Sequence, residues 1–204
     1  MTAPDAPVVH LIGPGGAGKT TVGPGLASRL GWRFIDQDHQ FIAREGDVAT
    51  YIATHGYAGY ARRNVAIYLE EIGTLQTPAV FALSSGFMTY PATTGPLYAG
   101  ICRSIEHGAL TALLLPAFEL EACVEIIVRR QLGRPYLPGN RVSEEARIRD
   151  RFPIFMALQC ARFDSSNTPD QVASQIEGIV REWGTRFEAS YPGRVRRPPV
   201  LPSA

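Results

Sequence analysis

The sequence predicts an α/β chain: a parallel sheet of five strands with helices on both faces. Three observations carry this expectation. Short apolar runs recur along the chain beside glycine or proline, as strands buried on both faces do. Segments with apolar residues at helical spacing alternate with these runs. The 204 residues, 45% hydrophobic and 19% charged, suffice for one domain that buries its own core.

The elements follow in order. Residues 1–7 are a flexible lead. Val8, Val9, His10, Leu11 and Ile12 form the first strand, and a glycine-rich turn spans 13–18. A helix covers 20–30 and stops at Gly31. Pro24 lies inside that helix, where it removes a backbone hydrogen bond, so a kink is expected there. Arg33, Phe34 and Ile35 form a short second strand. Val65, Tyr68, Leu69, Ile72 and Leu75 mark a helix over 61–75. The third strand is 79–83, after Pro78; the fourth is 110–115, closed by Pro116. Residues 118–132 are helical, 134–141 a loop punctuated by Pro and Gly, and 143–160 helical with a kink or break at Pro153. Arg162 and Phe163 are a fifth strand. Val172, Ile176, Ile179, Val180, Trp183 and Phe187 define the cleanest amphipathic helix. One domain thus spans 8–189. Residues 190–204, proline-rich with three arginines, are expected to be disordered.

Composition excludes several roles. A formal charge of +1 is too low for a general binder of nucleic acid or acidic membranes. Three scattered cysteines suit neither a disulfide framework nor a CxxC zinc site. The opening has no basic segment and no apolar run approaches a membrane span, so a cytoplasmic protein is expected. Its partner is expected to be a small molecule, and its state a monomer or weak dimer.

The 20 basic residues comprise 19 arginines and a single lysine, Lys19. Lysine is a compact point charge on a flexible stem, so its one occurrence singles out its position. That position is the end of Gly13, Pro14, Gly15, Gly16, Ala17, Gly18, Lys19 and Thr20, which fits G-x-x-x-x-G-K-[ST] between a predicted strand and a predicted helix. Such a loop turns backbone N–H groups and a helix N-terminus toward phosphate oxygens. Lys19 would reach the β- and γ-phosphates and the Thr20 hydroxyl would ligate Mg²⁺, with Thr21 beside it. The motif points to a nucleoside triphosphate. The absence of a second lysine removes the guanine-reading N-K-x-D motif, and no later apolar strand ends in a clear metal-binding acid. A small-molecule kinase remains.

Further residues resemble the shikimate kinase family. After the loop, Phe34-Ile35-Asp36-Gln37-Asp38 is similar to the F-x-D-x-D that this family places on its second strand. Arg44-Glu45-Gly46 with Ile52, Gly133-Arg134-Pro135-Tyr136-Leu137, Arg151-Phe152-Pro153-Ile154-Phe155 and Phe163-Asp164-Ser165 continue the likeness in order over about residues 8–182. The resemblance implies the nucleoside-monophosphate-kinase type of P-loop fold, with a lid at about 133–142, and ATP with Mg²⁺ as cofactors. It implies phosphorylation of a hydroxyl of shikimate. By position, Asp36 would sit near Mg²⁺, Asp38 would orient an acceptor hydroxyl, and Arg134 would close onto phosphate. Arg151 would hold the acceptor carboxylate, Gly86 would lie against the acceptor, and Arg129 or Arg130 would stack on adenine, with residues 165–170 behind it.

Other readings of the same residues stand beside these. An acid pair at i, i+2 after a strand also serves as a turn or helix N-cap. Arg151 lies near several acids and also suits a salt-bridged helix surface. The departures fall on the acceptor side. The family's F-R-x-x-E aligns with Tyr60-Ala61-Arg62-Arg63-Asn64, so Ala61 stands at the arginine, and Arg62 serves as the substrate arginine only after a one-residue shift. The family's three glycines become Ser84-Ser85-Gly86. A relative that phosphorylates another small hydroxylated acceptor, and a weak nucleotide-binding module, are the two alternatives.

Overall fold

The computed structural model describes residues 6–133 and 140–190, with side chains described up to residue 186. Among the described residues, five strands form one parallel sheet in the order β2-β3-β1-β4-β5. They are β1 (Val8–Ile12), β2 (Arg33–Asp36), β3 (Ala79–Ala82), β4 (Thr111–Leu115) and β5 (Ala161–Asp164). The helices are α1 (Lys19–Leu30), α2 (Gln37–Glu45), α3 (Val48–Gly73), α4 (Tyr98–Glu106), α5 (Leu120–Leu132), α6 (Arg141–Ala157) and α7 (Pro169–Ser190). No described helix is long and apolar enough to cross a membrane.

Side chains of the central strands alternate between two cores. Val9, Leu11, Val80, Ala82, Ala112 and Leu114 face α1 and α7, where Val22, Leu26, Val172 and Ile176 cover them. Ile12, Phe81, Leu113 and Leu115 face the other way, against α3, α4, α5 and α6. Two buried faces require continuous apolar strands, which is why these segments read as unbroken runs and not as alternating ones.

Several local expectations change. Helix α1 includes Pro24 within its span, and α6 runs through Pro153 without a break. Helix α3 is two helical segments joined by a kink at Gly56 (φ 70°, ψ 167°), the first of which the sequence did not signal. Helix α2 begins directly at the end of β2 with no intervening loop. Helix α4 is a short element in a stretch without a sequence signal. The expected lid narrows on its described side: Asn140 caps α6 by accepting from the Ser143 N–H at 2.8 Å, so residues 141 and 142 are already helical. Ser190 ends α7, and residues 191–204 lie outside the described part.

The order places a switch in winding direction between β1 and β3. The chain leaves β1 toward one edge and β3 toward the other, so the loops after these neighbouring strands open a crevice at their carboxyl ends. Residues 13–18 and 84–86 form those loops. A lattice of charges holds α2 and α3 together beside the crevice. Arg63 bridges Glu45 (2.6 Å) and Glu70 (2.7 Å), and Arg44 pairs with the buried Glu71. A network of this kind fixes geometry better than isolated surface pairs do.

Candidate active site

The loop after β1 has the geometry its sequence requires. Gly13 adopts φ 138°, and a Cβ there would stand 2.4 Å from the Leu114 carbonyl oxygen, so both backbone and space demand glycine. Gly16 and Gly18 also lie at positive φ, and Gly18 is the N-cap of α1. No side chain caps that helix and no acid stands in its first turn, which leaves its N–H groups for an anion. Lys19 is buried, and its ammonium donates to the carbonyl oxygens of Gly13 (2.7 Å) and Pro14 (3.0 Å). The lone lysine is thereby curled inside the loop, at the place where phosphate oxygens would exchange for carbonyls.

At the loop's end the Thr20 hydroxyl donates to Asp36 Oδ2 at 2.7 Å. The other Asp36 oxygen accepts from the backbone N–H groups of Asp38 (2.9 Å) and His39 (3.2 Å), capping α2. Asp36 is thus a helix cap and, through Thr20, a partner of the loop after β1. A hydroxyl and a carboxylate beside a phosphate site are hard oxygen donors that suit Mg²⁺, which takes one or two carboxylates together with substrate phosphates.

Asp38, two residues on, turns to the other side of the crevice. Its Oδ1 accepts from the Ser84 hydroxyl at 2.6 Å. Ser84 Oγ also lies 3.0 Å from Asn64 Oδ1, and the Ser84 N–H donates to Gln37 Oε1 at 3.0 Å. Gln37 in turn donates to the Asn64 carbonyl at 2.8 Å. Ser84, which stands where the resemblance puts glycine, thus orients the carboxylate. Gln37 and Asn64 are buried and lock α2, α3 and the loop after β3 together.

Gly86 ends the loop after β3, where three side chains converge on it. A Cβ there would meet Tyr57 Oη at 2.7 Å, Tyr90 Cε1 at 2.8 Å and Arg151 Nη2 at 3.3 Å. Arg151 reaches across from α6 and donates to Tyr57 Oη at 2.9 Å. Among the described residues it makes no ion pair, so the salt-bridged-surface reading does not hold. Tyr60 and Tyr90 complete a wall with Tyr57, at ring separations of 5.8 to 6.4 Å. Burial first, then the charge of Asp38, pushes the Tyr60 hydroxyl up to about 12. Burial, with Tyr60, Tyr57 and Asp38 nearby, raises Tyr90 well above the ordinary value.

The loops after β1 and β3 meet at their tips, where a Cβ on Gly15 would be 3.8 Å from Ser85 Cβ. Arg130 donates to the carbonyls of Gly16 (3.1 Å) and Ser165 (2.9 Å), tying α5 to the phosphate loop and to the turn after β5. Its neighbour Gln131 packs its amide against Gly15, and its Oε1 is buried without a partner.

The crevice therefore gathers Lys19, Thr20, Asp36, Asp38, Gly86, Arg130 and Arg151. It does not gather Arg62. That side chain is exposed, about 200° of helix turn from both Tyr60 and Asn64, while Ala61 is fully buried. The one-residue shift that would bring Arg62 in does not occur, because the Ala61 methyl is packed in the core beside Tyr60. Arg134 lies outside the described residues. Tyr57, Tyr90 and Gln131 join the site without having signalled themselves in the sequence, since each is an ordinary helix or loop residue until the fold is formed.

Known proteins resemble this chain in sequence and in fold. The family model described as "Shikimate kinase" matches residues 15–180. Shikimate kinase 2 of Erwinia tasmaniensis is 33% identical over 171 residues, covering 82% of this chain and 92% of its own. Shikimate kinase of Acinetobacter baylyi is 33% identical over 190 residues, covering 88% and 94%. Among solved structures, shikimate kinase from Acinetobacter baumannii in complex with shikimate superposes with a TM-score of 0.65 at 22% identity, covering 88% of this chain and 95% of that one. A gluconokinase from Sinorhizobium meliloti superposes with a TM-score of 0.59 at 13% identity, covering 93% and 99%. At these identities the structures establish the fold, and the family rests on the sequence matches. With the phosphate loop, the split acid pair and a match over most of its length, the chain belongs to the shikimate kinase family of ATP-dependent small-molecule kinases.

Proposed function

We propose that this chain transfers the γ-phosphoryl group of ATP to a ring hydroxyl of a small carboxylated cyclic polyol, with shikimate as the acceptor. The observation that carries the reading is the division of the acid pair. Asp36 faces the Thr20 hydroxyl of the phosphate loop, and Asp38 faces the loop after β3. One carboxylate thus serves the nucleotide side and the other the acceptor side. Asp38 would accept a hydrogen bond from the acceptor hydroxyl and take its proton as the phosphoryl group arrives. Arg151 would hold the acceptor carboxylate. Lys19 and the α1 N-terminus would bind the phosphates, and Arg134 would close over them. Thr20 and Asp36 would hold Mg²⁺, which when bound neutralises phosphate charge during transfer.

A second reading has its own support. The arginine that the family's F-R-x-x-E motif supplies is a buried alanine here, and two serine side chains stand where glycines are expected. These changes favour a related acid or polyol as the better acceptor. Acceptor-dependent ADP release with Mg-ATP, run on shikimate, quinate, gluconate and neutral cyclitols, separates the readings. Highest kcat/KM on shikimate supports the first. Highest kcat/KM on another member of the panel supports the second. ATP hydrolysis that no acceptor stimulates contradicts both.

A further inference from the structure

The tyrosine wall contains one hydroxyl without a folding role. Tyr90 is 5% exposed, and its hydroxyl is shielded from solvent with no hydrogen-bond partner. Tyr60, Tyr57 and Asp38 lie close enough to act on it, Tyr60 through its own hydroxyl, yet none meets it with full hydrogen-bond geometry. A buried hydroxyl left unpaired lowers stability, and native structures pair nearly all of them. Packing does not explain it. The Tyr90 ring rests on Phe87 (5.9 Å) and Tyr98 (6.0 Å), and phenylalanine would make the same contacts. Tyr98 in the same cluster shows the contrast: its hydroxyl accepts from the Tyr90 N–H at 3.0 Å and donates to the Phe87 carbonyl at 2.6 Å.

The surroundings say what the hydroxyl is for. Its ring edge and Tyr57 Oη both converge on Gly86, the one point in the wall without a side chain. Tyr57 accepts from Arg151, which leaves its own proton to donate onward. The Arg151–Tyr57 pair therefore stands at one end and the Asp38 carboxylate at the other, and the Tyr90 hydroxyl lies just beneath the wall beside them. Arg151 is the one arginine that the described structure brings to this side, so neutral donors must supply whatever recognition one guanidinium does not.

We propose that Tyr90 is a specificity residue of the acceptor site, donating to a ring hydroxyl of the acceptor while the Arg151–Tyr57 pair holds its carboxylate. The ligand class is a cyclic polyol acid with one carboxylate and at least two ring hydroxyls, one facing Asp38 and one facing Tyr90. Tyr90 keeps its proton at neutral pH, because burial raises it, and so remains a donor. This inference rests on the kinase reading above and deepens it.

The test is Tyr90→Phe, assayed beside the unaltered chain by acceptor titration calorimetry with Mg-ADP present and by steady-state kinetics. The expected result is an acceptor KM and Kd raised about tenfold, an ATP KM within twofold of normal, and a Tm unchanged or higher. A hydroxyl that only supported the fold would instead lower Tm and leave the acceptor Kd alone, and that result would overturn the proposal. Shikimate analogues lacking one ring hydroxyl refine the comparison. The unaltered chain should lose affinity for one analogue whose loss Tyr90→Phe does not compound. Separate, multiplying losses for every analogue would also overturn it. If the unaltered chain binds no acid of this class, the kinase reading and the proposal fall together. If it binds one and Tyr90→Phe binds it equally well, the proposal alone falls.

Discussion

Thr20 and Asp36 are joined by a 2.7 Å hydrogen bond, and the second oxygen of the same carboxylate caps helix α2. One side chain thus couples the phosphate loop to the helix that carries Asp38. The two tasks are separable by substitution. Asp36→Asn keeps an oxygen for the cap and loses the charge, so Tm should stay within a degree or two while the Mg²⁺ concentration for half-maximal activity rises at least tenfold. Asp36→Ala also loses the cap, worth about 1 kcal/mol, and should lower Tm by roughly 2–4 °C. Equal Mg²⁺ dependence in Asp36→Asn and the unaltered chain would move the metal site elsewhere. Metal titration of activity and thermal unfolding decide it.

Asp38 is held by Ser84 and not by the phosphate loop, as the proposed acceptor-side acid would be. Asp38→Asn should reduce kcat by about 10²–10⁴, the range of general-base removal, with nucleotide affinity within twofold of normal. A large loss of ATP binding by calorimetry would assign Asp38 to the nucleotide instead.

Gly86 has φ −98°, so a side chain there meets no backbone strain and the obstacle is purely steric. The methyl of Gly86→Ala would intrude on Tyr57 and Tyr90 and press on Arg151. The acceptor KM should rise tenfold or more, and stability should fall by about 1–3 kcal/mol, as overpacked sites do. An unchanged acceptor KM would show that the acceptor binds away from this wall.

Much of this architecture was legible before folding. The strands announced themselves because burial on both faces makes them uniformly apolar, and the phosphate loop because only glycine tolerates the approach of Gly13 to Leu114. The Asp36–Asp38 pair was legible too, including its capping alternative. Helix α2 was not, since the last residue of β2 is its N-cap and no turn residue separates them. The tyrosine wall was not, because Tyr57 and Tyr90 lie far apart in sequence and meet only through the packing of α3 against the loop after β3. Arg62 was misplaced by one residue of helix, which is enough to face it to solvent.

His10 adds a pH dependence unrelated to catalysis. It lies on β1, bonded to the Tyr68 hydroxyl at 3.1 Å and stacked on Phe81. Burial pushes its pKa from 6.5 down to about 4. The unfolded chain therefore takes up a proton near pH 6.5 that the folded chain refuses until about pH 4. This contribution to stability is complete above pH 6.5 and drains as pH falls through that window, by up to about 3 kcal/mol. His10→Gln should flatten the fall of Tm between pH 6.5 and 4. A slope identical to that of the unaltered chain would mean that other groups set the acid limb.

Incubation with Mg-ATP and shikimate, followed by phosphorus NMR of the products, tests the central claim most directly. The account predicts a new phosphate monoester on a shikimate ring hydroxyl, formed in equal amount with ADP and abolished by Asp38→Asn. ADP formed without an ester, or an ester that Asp38→Asn forms as fast, would contradict it.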